Sequence, residues 1–481
     1  MDIEVVKKLI ENTASKHAKF MTSAKEGNSY YENESRVVSK GASAIDIINR
    51  FLTDIKANPL KSADNRIPVN YHEVFVDQKI GYMFTYPPQF DVGDDKINLK
   101  IKDFLGDEYE KVIKQLGLDC SNTGKGYIHY WLNEEKKLDY YFVDPLQIWT
   151  VRDNTKLKPK NKYVIRAYQI TDEKGETFDC YELWDKDEMH LYKKKSNENY
   201  DGLKPVYIDS DGSLVEAIYK NPFGEVPFIE FKNKSTGLND LSMYKDLIDA
   251  YERIISGFVN DIDDIQEIIW VIKNYTGPEN DVVYDKEGNP IEKPFDLLQE
   301  LKAKKLIRVN ESGGVEAIRG EVPTEARKVL LEIIQKLLPI SAMGVDPIPD
   351  STGNSSGVYI DFLYNLLELK AGLMETEFKS SLNQLIRVIC KFYKIQCSKI
   401  EQTWTRNKPR NEVETASIIS STPSDIVSNK TKTKNHPLVD NYQNELKEIE
   451  KEAEKVKRNL LEGPMFKTET NPLVGEDDVK E

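Results

Sequence analysis

What this sequence is short of sets its first boundaries. Cysteine occurs four times, at Cys120, Cys180, Cys390 and Cys397, without a Cys-x-x-Cys spacing, and none of the five histidines stands close to a cysteine. Neither a structural zinc site nor a disulfide framework is expected. No window reaches the roughly 18 uninterrupted apolar residues of a membrane span. The opening stretch MDIEVVKKLIENTASKHAKF mixes acids and bases without the apolar core of a secretion signal. An excess of base is missing too: 67 Lys and Arg face 81 Asp and Glu, a formal net charge of -14. That excludes a protein gripping nucleic acid along a broad basic face, so any contact with DNA should be loose.

What is present is enough apolar material for a large fold. Of 481 residues, 39% are hydrophobic, and 25 are tyrosines, which suits two to four packed regions with disorder confined to the ends. Residues 1 to 120 read as short helices and loops, with stripes at Ile3, Val6, Leu9 and Ile10 and at Ala44, Ile45, Ile48 and Leu52. From Tyr127 to Phe231, short runs such as YIHYW, YYFVD, YVIRAYQI, CYELW, MHLY and VPFIEF alternate with Asp, Asn, Gly and Lys. That pattern predicts an antiparallel β region.

Helical spacing then runs unbroken through Tyr244, Leu247, Tyr251, Ile254, Phe258, Ile262, Ile265, Ile269 and Ile272. It predicts one long helix capped at Asn239 or Asp240 and stopped at Gly277-Pro278. Residues 278 to 321 form an interlude: VVYDKEGNPIEK reads as a hairpin, FDLLQELKAKK as a short helix, and LIRVN with VEAIRG as two strands. A second helix opens at Pro323, carries Ala326, Val329, Leu330, Ile333, Leu337 and Leu338, and should kink or end at Pro339. The loop GVDPIPDSTGNSSG, residues 344 to 357, packs three Gly, two Pro and three Ser and is the most mobile-looking internal segment. A third helix runs from Val358 through Phe378 to Phe392. After a polar connection, a charged helix carries Tyr442, Leu446, Ile449, Ala453, Val456 and Leu460 in alternating steps of four and three. That is a seam of coiled-coil type, or equally an amphipathic helix lying on its own domain.

Several patterns invite chemistry and are explained by less. Gly124-Lys125-Gly126 lacks the spacing of a phosphate loop and precedes a strand, so it reads as a tight turn. Asp209-Ser210-Asp211-Gly212 begins like a calcium loop, but Lys220 stands where a closing Glu belongs, which leaves a hairpin turn. The acidic residues Asp261, Asp263, Asp264 and Glu267 fan over more than one helix face, which suits a solvated stripe better than a magnesium site. The basic tracts Lys156 to Lys162 and Lys193 to Lys195 read as solvated loops. No Ser/His/Asp or Cys/His arrangement can be argued, so no enzyme, cofactor or metal is expected.

The run NPFGEVPFIEFKNKSTGLNDLSMYKDLIDAYERIISGFVNDIDDIQEIIWVI, residues 221 to 272, resembles the signature of the siphophage-type portal proteins of tailed bacteriophages. In that family a strand leads through a Gly/Asn turn into a long stem helix, and Asn260-Asp261 sits in a matching position. NRIPVNYHEVFVDQKIGYMFTYPPQF at 65 to 90, the turn at Gly124 to Tyr127, VDPLQIWTVRDN at 143 to 154 and NSSGVYIDFLYNLLELKAGLMETEF at 354 to 378 agree in order. The resemblance covers residues 30 to 460 and is weakest beyond about 400. The chain departs from it at Tyr30-Tyr31-Glu32-Asn33-Glu34-Ser35, where relatives often carry Gly and His after the paired tyrosines.

The resemblance implies an α+β portal-type fold assembled as a ring, usually of twelve subunits in the virion. Residues 1-238 would be an α/β wing, 239-273 and 322-343 the stem helices, and 274-321 a small α/β clip. Residues 344-357 would be the tunnel loop, 358-396 the long wing-supporting helix, 397-462 a helical crown, and 463-481 a disordered acidic tail. The tunnel loop would present Gly344, Val345, Asp346, Pro347, Pro349, Asp350, Ser351, Gly353, Asn354, Ser355 and Gly357 to the DNA channel, with Gly344 as one swing point. The acidic stripe would line the channel or pair with a neighbour's lysines. Asp281, Tyr284, Asp285, Lys286, Glu287, Asn289 and Lys293 would dock partners at the clip. Expected partners are further copies of the chain, the packaging terminase, a head-completion or connector protein, scaffold and major capsid protein, and double-stranded DNA passing loosely; no membrane is expected. The protein would sit at the virion head vertex and, during assembly, in the bacterial host cytoplasm. Two rival readings stay open: a phage nucleic-acid-processing enzyme with an acidic metal cluster, which would need carboxylates converging from different elements, and another minor head protein.

Overall fold

The stripe at Ile3, Val6, Leu9 and Ile10 opens a helix far longer than the short ones expected at this end. In the computed structural model it spans Ile3–Tyr31, 29 residues, and the Asp2 side chain caps it by accepting from the Glu4 amide at 3.2 Å. No glycine or proline interrupts residues 3–26, and burial of Val6, Ile10 and Ala24 carries the helix across its polar middle. The structure describes residues 2–39, 63–155, 157, 160–210, 213–265, 269–273, 283–284, 290–291, 314–318, 323–346, 357–397, 399–408, 412–439 and 442–461. The expected stripe from Ala44 to Leu52, the helix FDLLQELKAKK, the strand LIRVN and the acidic tail lie outside them.

The antiparallel region forms as its alternation predicts. Lys125–Leu132 pairs with Leu138–Val143 on one edge and with Phe228–Lys232 on the other. A second sheet runs in the order Ile218–Lys220, Glu188–Lys195, Thr177–Trp184, Lys160–Thr171, Ile148–Asp153. Because side chains alternate across a strand, neighbours serve opposite faces. Ile165 and Leu183 pack with Val6 and Ile10 of the first helix, whereas Val164 and Trp184 pack with Tyr127 and Phe228 of the smaller sheet. The main core joins the helices Asp95–Leu105 and Tyr109–Thr123, through Ile101, Ile113 and Leu116, to Ile128, Tyr130 and Phe231 of the smaller sheet. Met374, Phe378 and Leu385 of the 36-residue helix Gly357–Phe392 complete it.

The long helix expected through Ile272 is shorter. It spans Lys245–Ile265, and Ile269–Lys273 is instead a strand paired with Gly314–Ile318. The run Ile269-Trp270-Val271-Ile272 continues the helical period, yet its β-branched and aromatic side chains fit a pleated surface, and so short an apolar run suits either structure. Of the expected strand partners, VEAIRG thus contributes Gly314–Ile318. The hairpin read in VVYDKEGNPIEK is present: Val283–Tyr284 pairs with Pro290–Ile291.

Pro339 does not end the second helix, which spans Thr324–Ala342 and closes three residues later with Met343 in the left-handed region. The buried stripe Ile334, Leu338 and Ala342 holds that last turn in place despite the missing donor. Cys390 and Cys397 are joined in a disulfide across the end of the Gly357–Phe392 helix, a single local bridge that the sequence reading did not expect. The tract Lys193 to Lys195 is strand and not loop: Lys194 is buried against Asp179 at 2.6 Å, and Lys195 pairs with Glu176 at 2.9 Å.

By contact the chain forms two units, one of Met1–Pro347 with Tyr364–Asn407, the other of Ile348–Leu363 with Lys408–Glu481. The second contains the helices Glu412–Ser421, Asn429–Asn435 and Tyr442–Leu461. Among the described residues no helix is long and apolar enough to cross a membrane.

Candidate functional site

The polar machinery of the first unit is organised along one strip of chain, from Asn239 to Ile265. Before the helix begins, Asn239 accepts from the Ser242 amide at 3.1 Å, capping a short 3-10 turn. Asp240, the alternative cap, is used otherwise. It is almost fully buried, and one oxygen receives Lys79 Nζ at 2.5 Å and Lys370 Nζ at 3.2 Å, while the other accepts from Asn233 Nδ2 at 2.8 Å. Lys79 also donates to Asn233 Oδ1 at 2.8 Å, and Lys370 to the Ala342 carbonyl at 2.9 Å. Burial would raise the Asp240 carboxyl, but Lys370 and Lys79 outweigh it and hold it well below the usual carboxylate range. Burial pushes Lys79 down, to about 8, against the pull of Asp240. Two cations share one carboxylate in a dry interior, so the knot ties four elements together: Tyr71–Phe84, Thr324–Ala342, Gly357–Phe392 and the 233–240 turn.

Along the helix itself a second device follows. Residues 65–69 run beside Lys245–Ile265, tied to it through alternate amides. The amides of Val69, Ile67 and Asn65 donate to Glu252 Oε1 at 2.9 Å, Ser256 Oγ at 3.0 Å and Asn260 Oδ1 at 2.6 Å. The two periods match: four helical residues rise about 6 Å and two extended residues about 6.5 Å, so every second amide meets every fourth side chain. Glu252 is fully buried and also accepts from Ser35 Oγ at 2.5 Å. Tyr30 donates to Asp249, and Tyr31 to Asp77 at 2.9 Å. The Tyr30 to Ser35 segment is therefore stitched to the same helix and its neighbour.

The start of the 344–357 loop is held just as firmly. Gln78 grips Val345 at both ends, its Nε2 donating to the carbonyl at 2.9 Å and its Oε1 accepting from the amide at 3.1 Å. A Cβ on Gly344 would stand 2.7 Å from the Phe75 ring. Gly344 is thus a packed residue, which corrects its expected role as a swing point. Asp346 is described, Gly357 opens the following helix, and Pro347, Pro349, Asp350, Ser351, Gly353, Asn354 and Ser355 lie outside the described residues.

The acidic stripe is partly spent within the chain. Asp261 pairs with Arg327 of the Thr324–Ala342 helix, whose guanidinium also lies 5.7 Å over the Phe258 ring, and Asp263 accepts from Asn65 Nδ2 at 2.6 Å. Asp264 has helical backbone, and Glu267 lies outside the described residues. Of the clip set, Tyr284 sits in the short hairpin; Asp281, Asp285, Lys286, Glu287, Asn289 and Lys293 lie outside. Among the described residues no group of three or more His, Cys, Asp or Glu could hold a metal ion.

The phosphate-loop look-alike at Gly124-Lys125-Gly126 is a turn. Gly124 caps a helix at φ 92, and a Cβ there would meet the Gly237 carbonyl at 2.2 Å. Of the calcium-loop look-alike, Ser210 pairs with Ser213, and Asp211 and Gly212 lie outside the described residues.

Sequence reasoning missed Lys79, Lys370, Asn233, Gln78 and Glu252. A signal existed: Lys79 lies four residues from both Phe75 and Met83, and Glu252 four from Ile248, on faces that are otherwise buried. A charge at an apolar position of a helix is a buried pair in waiting.

Comparison with known proteins places this geometry. Residues 10–459 match the family described as phage portal protein, SPP1 Gp6-like. The portal protein of Clostridium phage phiCD119 is 34% identical over 464 residues, 92% of this chain and 94% of that protein. The portal protein of Bacillus phage SPP1 is 27% identical over 473 residues, 95% of this chain and 87% of that protein. Among solved structures, a chain from the neck of an empty GTA particle computed with C6 symmetry shares 12% identity at a TM-score of 0.39, over 82% of this chain and 93% of that one. That likeness is too distant to carry an argument.

Proposed function

Because the chain belongs to the SPP1 Gp6-like family of phage portal proteins, we propose that its copies close into a ring, twelve in the virion, through which double-stranded DNA enters and leaves the head. As a phage portal protein it is a structural component of the virion head vertex. The observation that carries the ring reading is the family match across residues 10–459. Physical chemistry supports a conduit. Each Lys or Arg that neutralises a phosphate adds counterion-release affinity and would brake the DNA, whereas a subunit of charge -14 repels it.

The tunnel loop supports the same reading. Residues 344–357 contain Asp346 and Asp350 but no Lys or Arg, so contact with DNA is steric and without sequence preference. Its start is fixed, with Gly344 packed against Phe75 and Val345 gripped at both ends by Gln78. Partners dock at the clip. Ile269–Lys273 pairs with Gly314–Ile318, so the chain leaves and re-enters this sheet at one place. There the packaging terminase binds first and the head-to-tail connector later, while scaffold and major capsid protein meet the outer surface during assembly in the host cytoplasm. The chain itself performs no catalysis; nucleotide hydrolysis belongs to the terminase.

Negative-stain images and light scattering test the ring. Closed particles above half a megadalton with a central hole are expected, and a stable monomer across physiological salt at micromolar concentration would overturn it. Deleting Asp281 to Lys293 should spare folding of the rest and abolish motor docking; normal packaging by that variant would refute the clip assignment.

A further inference from the structure

Two helices, one in the first unit and one that begins in the second and continues into the first, each carry a second apolar face that nothing in the described chain covers. On Thr324–Ala342, Ile334, Leu338 and Ala342 are buried in the chain's own core. Ala326, Leu330, Ile333, Leu337 and Ile340 lie on another face in steps of four, three, four and three; the last four are 43% to 59% exposed. On Gly357–Phe392, Leu367, Ala371 and Met374 are buried. Leu366, Leu369 and Leu373, in steps of three and four, are exposed, and Phe362 extends the spacing one turn earlier.

Both are 3.5-residue seams, the period at which two helices interlock side chains over a long contact. Their lengths agree, roughly 21 Å and 17 Å at 1.5 Å per residue. Neither contains a charged residue. A soluble chain rarely leaves two such faces open without a partner.

We propose that the Thr324–Ala342 seam of one copy packs against the Gly357–Phe392 seam of the next copy. This rests on the ring reading and deepens it. A ring of more than two copies needs two different surfaces on each subunit, since a surface that pairs with itself closes at a dimer. The two seams are such a pair. Copies of charge -14 repel one another, and an uncharged seam is where they approach without setting acid against acid. The Tyr442–Leu461 seam is more heavily charged: Glu445, Glu450, Glu452 and Lys457 flank it.

Cysteine cross-linking in the full chain decides it. Ile333→Cys and Leu369→Cys are placed in separate chains and together in one; Cys120 and Cys180 are buried and Cys390 is bonded to Cys397. Oxidised mixtures of the two single variants should give a cross-linked dimer that neither gives alone, and the double variant a ladder beyond dimer. Each variant cross-linking to itself, Ile333→Cys pairing instead with Ile449→Cys, or an internal bond in the double variant would overturn the proposal. Intact rings without any cross-link would also overturn it while leaving the ring reading standing. Absence of rings in the unsubstituted protein would remove the ring reading itself. As a second measure, Leu330→Glu with Leu337→Glu should shift the particle to subunit size while circular dichroism stays unchanged.

Discussion

The strip from Asn239 to Ile265 has two ends that use carboxylates in opposite ways. At the start, Asp240 is shut away from water between Lys79 and Lys370. Near the finish, Asp261 and Asp263 are partly open to solvent, Asp261 beside Arg327 and Asp263 beside Asn65. A buried charge stripped of its partner is left in a medium that cannot solvate it, whereas an exposed one falls back on water. The same residue type is therefore a fastening at one end and dispensable to folding at the other. The proposed ring needs firm elements, and the Asp240 end supplies one.

The sharpest way to break that comparison is at Asp240. Asp240→Ala leaves two buried ammonium groups without a counter-charge and should cost about 3–5 kcal/mol, read by denaturant unfolding at fixed protein concentration. Adding Lys79→Met and Lys370→Met should recover most of the loss. A cost near that of a surface pair would show the knot to be wetter than its geometry. Midway along the strip, Glu252→Ala removes the acceptor of Ser35 and of the Val69 amide, and should cost about 2–3 kcal/mol. Limited proteolysis should then cut within residues 63–70, and unchanged protection there would detach the extended segment's order from Glu252.

How much of this was legible depended on period and environment. The antiparallel region could be read because its alternation agrees with the strands that form, down to the pairing of Ser210 with Ser213. The helix end at Ile265 could not, because Ile269 to Ile272 satisfies the helical period while its β-branched side chains prefer the strand they form. Pro339 misled for the converse reason: tertiary burial of Leu338 and Ala342 overrode a local breaker. The Asp240 knot needs residues that lie 161 and, through Lys370, well over a hundred positions apart, and no spacing rule reaches that far. Gly344 looked like a hinge because glycine permits motion, yet here it permits close packing on Phe75.

A smaller effect tests the buried end by pH. His72 Nδ1 lies 2.7 Å from Tyr244 Oη, with Tyr31 edge-on and Asp240, Lys370 and Lys79 within electrostatic reach. Burial lowers its pKa to about 4. A depressed folded value means the unfolded chain takes the proton first, so this stability is complete above about 6.5 and is lost as pH falls toward 4. His72→Asn should therefore cost about 1–2 kcal/mol at pH 7, and the gap to the parent should narrow through that window. A constant gap would mean that His72 is not held neutral.

The smallest effect belongs to the open end and completes the comparison. Asp261 and Arg327 keep 31% and 24% of their side chains exposed, and Arg327 retains the Phe258 ring when the carboxylate is removed. Asp261→Ala should cost no more than about 1 kcal/mol, and a double-mutant cycle with Arg327→Ala should shrink as salt rises from 0.1 to 1 M, since exposed pairs are screened and dry ones are not. A salt-independent coupling above about 2 kcal/mol would make this end a fastening like Asp240 and erase the gradient along the strip. If the small value holds, Asp261→Asn keeps the fold. Any change it makes in DNA retention then reports the charge at this position and not a damaged subunit.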